Sequence, residues 1–171
     1  MQIRKIIRVE EAEEEVKHLV EETAIAKRAA GNPGTRQKIK YLDCISAFDI
    51  ETTRIIEIEQ SVMYVWQWAF TINDEIVVVI GRTWRELIKL WTKIVMNTLL
   101  QRGCRIVIYV HNLSYEFQFL SGIFSFNKEN VFALKSRKVL KAEMLENTIE
   151  LRCSYIQSNM SLSAFLKEMN V

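Results

Sequence analysis

The run Ala47-Phe48-Asp49-Ile50-Glu51-Thr52-Thr53 constrains this chain more than any other stretch. Apolar and acidic residues alternate in it, and residues i and i+2 of an extended strand share a face. Phe48 and Ile50 are expected to pack beneath, while Asp49 and Glu51 aim two negative charges at one spot. The run closes a segment, Tyr41 to Ile50, that reads as the first core strand. Like charges side by side are unfavourable unless something neutralises them, and a divalent cation held by carboxylate oxygens is the usual remedy. Taken alone, Asp-x-Glu is frequent, and a solvent-facing strand end accounts for it too.

A chain of 171 residues with 49% hydrophobic content has enough material for one domain with a substantial core. Its net charge of +2 neither demands nor excludes a nucleic-acid partner. Cys44, Cys104 and Cys153 are widely spaced and include no Cys-x-x-Cys pair, which fits buried thiols in a reducing compartment. The uncharged run Gln60 to Asn73 is shorter than the ~18–20 apolar residues of a membrane span, and the acidic run beginning at Glu10 is unlike a signal peptide. These features predict a cytoplasmic protein.

Residues 1–40 read as a charged N-terminal helix and a basic linker. Val9, Ala12, Val16, Leu19, Val20 and Thr23 recur at three and four residues, forming one apolar stripe. Glu11, Glu14, Glu15, Glu21 and Glu22, then Lys27 and Arg28, occupy the rest, in the order that suits a helix dipole. Gly31-Asn32-Pro33-Gly34 is a strong stop, and Arg36, Lys38 and Lys40 form a solvated basic linker with reach to a phosphate backbone. Val62 to Ile72 and Ile76 to Ile80 read as hairpin partners around Asn73-Asp74, with Tyr64, Trp66 and Trp68 on one face. Thr83-x-x-Glu86 is a capping box opening a helix to about Leu100, and Gly103 closes it. Arg105 to Val110 is a buried strand, followed by a short helix over 114–121. Three strands follow at about 131–135, 139–145 and 148–154, then a helical pattern over 162–169 capped by Ser161. The four Trp residues, at their spacings, are expected in the core.

The resulting order is β-β-β-α-β-α-β-β-β-α after the added helix. It predicts an α/β fold with a mixed sheet flanked by helices, beginning as a ribonuclease H-like fold does. Sheets of this kind place sites beyond the carboxyl ends of parallel neighbours. One such end carries Asp49 and Glu51. The other is His111-Asn112-Leu113-Ser114-Tyr115-Glu116, where a strand runs into a helix with a third carboxylate in its first turn. Separately, Glu116 is a good helix-N-terminal acid, Asn112 a turn residue and His111 a packed or hydrogen-bonding histidine. Adjacent parallel strands would bring all three acids together.

Phe48-Asp49-Ile50-Glu51-Thr52-Thr53 resembles the first exonuclease motif of family B DNA polymerases. His111-Asn112-Leu113-Ser114-Tyr115-Glu116, with Phe119-Leu120 after it, resembles their second motif, Asn-x-x-aromatic-Asp. Spacing and the His-Asn-Leu opening are most similar to the protein-primed polymerases of small phages and linear plasmids. There the segment is the N-terminal 3′–5′ proofreading domain, on a ribonuclease H-like fold. The likeness covers residues 41–123 well and 124–171 more loosely, and leaves residues 1–40 uncovered.

The resemblance implies a two-metal hydrolysis of a 3′ phosphodiester, with Mg²⁺ or Mn²⁺ on hard oxygen ligands. Asp49 would bridge the ions, Glu51 would bind one and orient water, and Glu116 would hold the other. Thr52, Asn112 and Tyr115 match positions that grip single-stranded DNA, and Ser154 with Tyr155 falls near another such motif. Implied partners are a single-stranded 3′ end and the rest of a polymerase chain; protein-primed members add a terminal protein.

Two departures matter. Glu116 stands where the family has Asp, and a methylene displaces a carboxylate by ~1 Å, a scale to which catalytic geometry is sensitive. The family's third motif, Tyr-x-x-x-Asp, is absent from these residues. The sequence therefore predicts the front of a longer polymerase, 41–171 being an exonuclease domain truncated before it closes and weak or inactive alone. A non-catalytic ribonuclease H-like module binding DNA or protein is the alternative. A third reading is an independent nuclease whose site is completed by Glu143, Glu146 or Glu150.

Overall fold

A computed structural model describes residues 2–30, 37–161, 164 and 167. The turn expected at Gly31–Gly34 lies outside these residues, as does most of the helix expected over 162–169; Ser161 Oγ accepts the Ala164 N–H at 3.3 Å, as a cap would.

The chain is mixed α/β, with a large sheet of parallel and antiparallel strands flanked by helices. Its strands are β1 (Gln2–Arg8), β4 (Ser46–Ile55), β5 (Gln60–Ile72), β6 (Glu75–Gly81), β7 (Ile106–Val110), β8 (Val131–Ala133), β9 (Val139–Met144) and β10 (Ile149–Cys153). The spatial order of the eight-stranded sheet is β1-β6-β5-β4-β7-β10-β9-β8. Strands β4, β7 and β10 run parallel as neighbours, and β5 and β9 flank this trio as antiparallel partners. A separate two-stranded ribbon joins β2 (Ile25–Ala30) to β3 (Gln37–Leu42).

One face of the sheet forms the core. Phe48, Ile50, Trp66, Trp68, Phe70, Val77, Val79, Ile106, Ile108, Val110, Ile149 and Leu151 all point into it, alternating with half-buried or exposed neighbours on β4, β5 and β6. Helix α1 (Ala12–Glu22), α2 (Trp84–Lys89), α3 (Met96–Arg102) and α4 (Leu113–Leu120) bury their apolar residues in that same cluster. Trp66, Trp68 and Trp91 are fully buried, as expected of core tryptophans. Gly81 admits the Trp66 indole against its backbone, where any Cβ would overlap the ring.

Helices α2 and α3 are continuous through a π-helical stretch, Leu90–Val95. Thr83 and Glu86 form the expected reciprocal capping box, and Gly103 ends the helix at φ 65°, a conformation that costs glycine little. The π turn contains Trp91, whose ring lies 4.9 Å from Phe48 and 5.8 Å from Phe124. Phe48 is thus clamped from below, which fixes the strand that carries Asp49.

Three expectations change. The N-terminal helix stops at Glu22, with Thr23 extended at ψ 133°, and the segments on either side of it are strands. Residues 2–8 form an edge of the main sheet, paired with β6, because Ile3, Ile6 and Ile7 bring β-branched side chains to a strand edge. The basic linker is one arm of the β2–β3 ribbon. Likewise the expected first strand divides: β3 ends at Leu42 and β4 begins at Ser46, so Asp49 and Glu51 lie within β4 and not at its end. Finally, Tyr64 leaves the Trp66–Trp68 face. The register jumps from Glu51↔Val65 to Thr52↔Met63, so a bulge at Tyr64 turns Met63 into the core and leaves Tyr64 48% exposed.

Among the described residues, no helix is long and apolar enough to cross a membrane. All three cysteines are free, Cys104 and Cys153 buried and Cys44 partly so.

Candidate functional site

Strand register assembles the site. Phe48 pairs with Val110 and Cys153 with the same Val110, so β4, β7 and β10 come level there. The next residues along, Asp49, His111 and Ser154, therefore emerge side by side. Strand β4 continues antiparallel to β5 as far as Ile55, but its pairing with β7 ends at Phe48. Asp49 is the first residue beyond that parallel pairing, where sheet topology opens a crevice.

Asp49 and Glu51 occupy the face of β4 opposite Phe48 and Ile50, Asp49 half-buried and Glu51 exposed. The chain leaves β7 through Asn112, at φ 58° and ψ 53°, an αL geometry that Asn tolerates better than most residues. That sharp turn starts α4 at once and brings Glu116 into its first turn, 4% exposed. Oε2 of Glu116 is buried and, among the described residues, has no hydrogen-bond partner. Burial pushes its carboxyl up to about 7; the Glu116 backbone N–H opposes this, and the charge of Asp49 adds to it. Glu116 and Asp49 thus lie within electrostatic reach of one another.

The two sequence motifs also touch directly. Thr52 Oγ1 and Tyr115 Oη share a 2.6 Å hydrogen bond from β4 to α4. The Tyr115 ring meets Phe119 edge-on at 5.4 Å, and Phe119 in turn lies 6.3 Å from Trp84, giving an aromatic row beside the acids. On the β10 side, His111 Nδ1 lies 3.3 Å from Ser154 Oγ, and its ring meets Tyr155 at 5.6 Å. His111 Nε2 is also buried without a hydrogen-bond partner among the described residues. Asn112 is exposed and its side chain makes no cap bond.

The sequence marks His111 as a packed or hydrogen-bonding histidine, and its contact with Ser154 agrees; its position level with Asp49 becomes visible only through strand register. Phe119 was legible at i+4 from Tyr115, a spacing that makes helix neighbours.

A third set of acids is held elsewhere. Glu150 is fully buried, level with Val107, three residues before the Val110 level. It accepts hydrogen bonds from Tyr41 Oη at 2.7 Å and Arg152 Nε at 2.6 Å. Glu143 pairs with Arg105 at 3.0 Å and Lys141 at 2.7 Å. Glu146 lies in the β9–β10 turn, at the opposite end of β10 from Ser154. None of these three acids stands at the strand ends with Asp49.

A buried carboxylate oxygen without a partner, facing the field of a second carboxylate, is an arrangement that a hard divalent cation satisfies. Asp49 and Glu116 are the residues that could hold one, with Glu51 on the exposed continuation of the same strand. Among the described residues, no three His, Cys, Asp or Glu side chains form a group ready to hold a metal ion. Compared with family models, curated proteins and solved structures, the chain matches none.

Proposed function

We propose that this chain is a ribonuclease H-like 3′–5′ exonuclease domain of the family B DNA polymerase type, acting on the 3′ end of single-stranded DNA. The observation that carries the reading is the placing of Glu116. This buried carboxylate, whose Oε2 has no hydrogen-bond partner among the described residues, sits in the first turn after the strand that runs parallel to the Asp49 strand. The order β6-β5-β4-β7-β10, with β4, β7 and β10 parallel, is compatible with the fold.

In this reading Asp49 and Glu116 hold Mg²⁺ or Mn²⁺, and Glu51 lies where it can accept a proton from water. The metal, when bound, stabilises charge on the phosphodiester oxygens. Thr52 and Tyr115 grip the terminal nucleotide, Tyr115 offering both a hydroxyl and a 38% exposed ring for stacking. Asn112, Ser154 and Tyr155 line the approach of the strand. Because Glu116 replaces the shorter acid, turnover by these residues alone is slow. The remaining polymerase segments, and a terminal protein in a protein-primed system, are the proposed partners.

The experiment is a binding comparison between a linear single-stranded oligonucleotide and a circular one of equal length, in Mg²⁺. The reading predicts preference for the linear strand, abolished by Asp49→Ala. Equal binding of the two, unaffected by metal, favours the second reading, a non-catalytic module. The neutral carboxyl that Glu116 favours in its buried setting is the observation behind that second reading.

A further inference from the structure

We propose that the β2–β3 ribbon is a docking element for the phosphate backbone of duplex nucleic acid, separate from the strand-end site and not dependent on the exonuclease reading. From Ala24 to Leu42 the chain contains no Asp or Glu, while Lys27, Arg28, Lys38 and Lys40 all fall on the ribbon's two strands. Lys27 is the register partner of Lys40, and Ala29 that of Lys38. Register partners share a face and alternate residues return to it, so the exposed Lys38 and Lys40 stand on one face, at the register levels of positions 29 and 27.

Like charges directly opposite one another destabilise a strand pair, and alanines at 26, 29 and 30 add little strand propensity. An isolated two-stranded ribbon is marginal at best. This one is tied down instead at its base. Tyr41 bridges to Arg105, Leu42 N–H donates to the Arg105 carbonyl at 2.8 Å, and Arg105 N–H donates to the Lys40 carbonyl at 2.9 Å. Tyr41 also donates to the buried Glu150 at 2.7 Å. Every charged residue between Ala24 and Leu42 is basic, and the fold holds Lys38 and Lys40 on one face, where a polyanion offsets their repulsion.

Lys38 and Lys40 are exposed, and among the described residues neither has an ion pair. They line a cleft of about 300 Å³ with Gly103, Cys104 and Thr148, in which Glu146 is the facing acid. Arg102 adds a buried Nη1 that has no hydrogen-bond partner among the described residues. The charges of Arg102 and Lys40 both act on the Cys104 thiol, which places them together beside it. Arg105 is already neutralised by Glu143.

The ligand chemistry follows from shape and charge together. A two-stranded β-ribbon fits the major groove of a duplex, and lysines repeated along it meet phosphates spaced every ~3.4 Å of axis per strand. The ribbon joins the sheet at the start of β7, whereas Asp49 stands at its end. Five residues of β7 separate the two by roughly 16 Å. One surface can therefore bind without filling the other.

The test is fluorescence anisotropy of the full chain with a duplex of about 20 base pairs across a salt series. Each phosphate contact contributes about −0.9 to the slope of log K against log salt. Replacing Lys27, Lys38 and Lys40 with Gln is expected to reduce the slope magnitude by 2 to 3 and to weaken binding at least tenfold at ~0.1 M salt. Lys38→Gln alone, at an exposed position, reduces it by about one unit should the triple variant fold poorly. Asp49→Ala and Lys17→Gln leave duplex binding unchanged, whatever becomes of the preference for linear strands. The proposal is overturned by a correctly folded triple variant that binds like wild type, or by loss of duplex binding in Asp49→Ala. It is equally overturned if anionic vesicles or polyglutamate are bound more tightly than the duplex.

Discussion

Glu116 and Glu150 are both buried glutamates, one residue type in two opposite settings. Glu150 sits on β10 with Tyr41 and Arg152 donating to it and Lys141 at 3.7 Å. Burial alone would raise its pKa, but those hydrogen bonds and positive charges outweigh it and hold the carboxyl below the usual range. Glu116 has a carboxylate for a neighbour and an unpartnered oxygen, and its carboxyl is pushed up to about 7. Burial is common to both; the partners decide which way each carboxyl titrates.

The largest test of this contrast is removal of each acid. Glu150→Ala leaves Arg152 and Tyr41 facing a vacated, buried position, and breaking such a group costs about 3–5 kcal/mol. Glu116→Gln removes the charge from a carboxyl whose Oε2 has no hydrogen-bond partner among the described residues, and is expected to change stability at neutral pH far less, or to raise it. Urea unfolding measures both. Equal losses from the two substitutions would erase the distinction.

The pH dependences should lean in opposite directions. A buried acid with a raised pKa contributes stability that is complete below about 4.5 and is lost as pH rises through about 7, because the folded state holds the proton longer. Metal-free protein should therefore lose up to roughly 3 kcal/mol across that window through Glu116, and Glu116→Gln should flatten the curve there. Glu150, with its lowered pKa, contributes the reverse: its stabilisation persists above the ordinary carboxylate range and disappears as pH falls below it. A Glu116→Gln variant with an unchanged slope between pH 4.5 and 7 would remove Glu116 from the account.

Smaller effects sharpen the same comparison. Tyr115→Phe deletes the hydroxyl bonded to Thr52 and should cost about 0.5–1.5 kcal/mol in stability, while weakening retention of a 3′ end. Thr52→Val should reproduce it, and the two losses should not add, since they remove one bond. Smallest is Lys17→Ala on the exposed face of α1, where the Glu13 pair spans i,i+4; solvent screens that pair, so the loss in urea unfolding should be barely measurable and smaller still in high salt.

Much of this arrangement was legible in the sequence because it follows periods of two and of 3.6. Alternation separated Phe48 and Ile50 from Asp49 and Glu51, and Thr83-x-x-Glu86 marked a helix start that the backbone honours. Features that depend on partners were not legible. Gln2–Arg8 is a strand only because β6 offers an edge to it, and Tyr64 leaves its face only because β4 and β5 slip by one residue. The nearness of His111 to Ser154, and of Thr52 to Tyr115, is a product of parallel register across a long sequence separation. Local pattern carries no information about such contacts.

On the proposed reading, Asp49 on β4 and Glu116 on the helix that follows its parallel neighbour β7 serve one cation. Titration of Mn²⁺ against wild type, Asp49→Ala, Glu116→Gln and Lys17→Ala at slightly alkaline pH, read by electron paramagnetic resonance, tests it directly. Wild type and Lys17→Ala should bind alike, and either acid variant should lose at least about tenfold in affinity, near 1.4 kcal/mol. Mn²⁺ held as tightly by Asp49→Ala or Glu116→Gln as by wild type would contradict it.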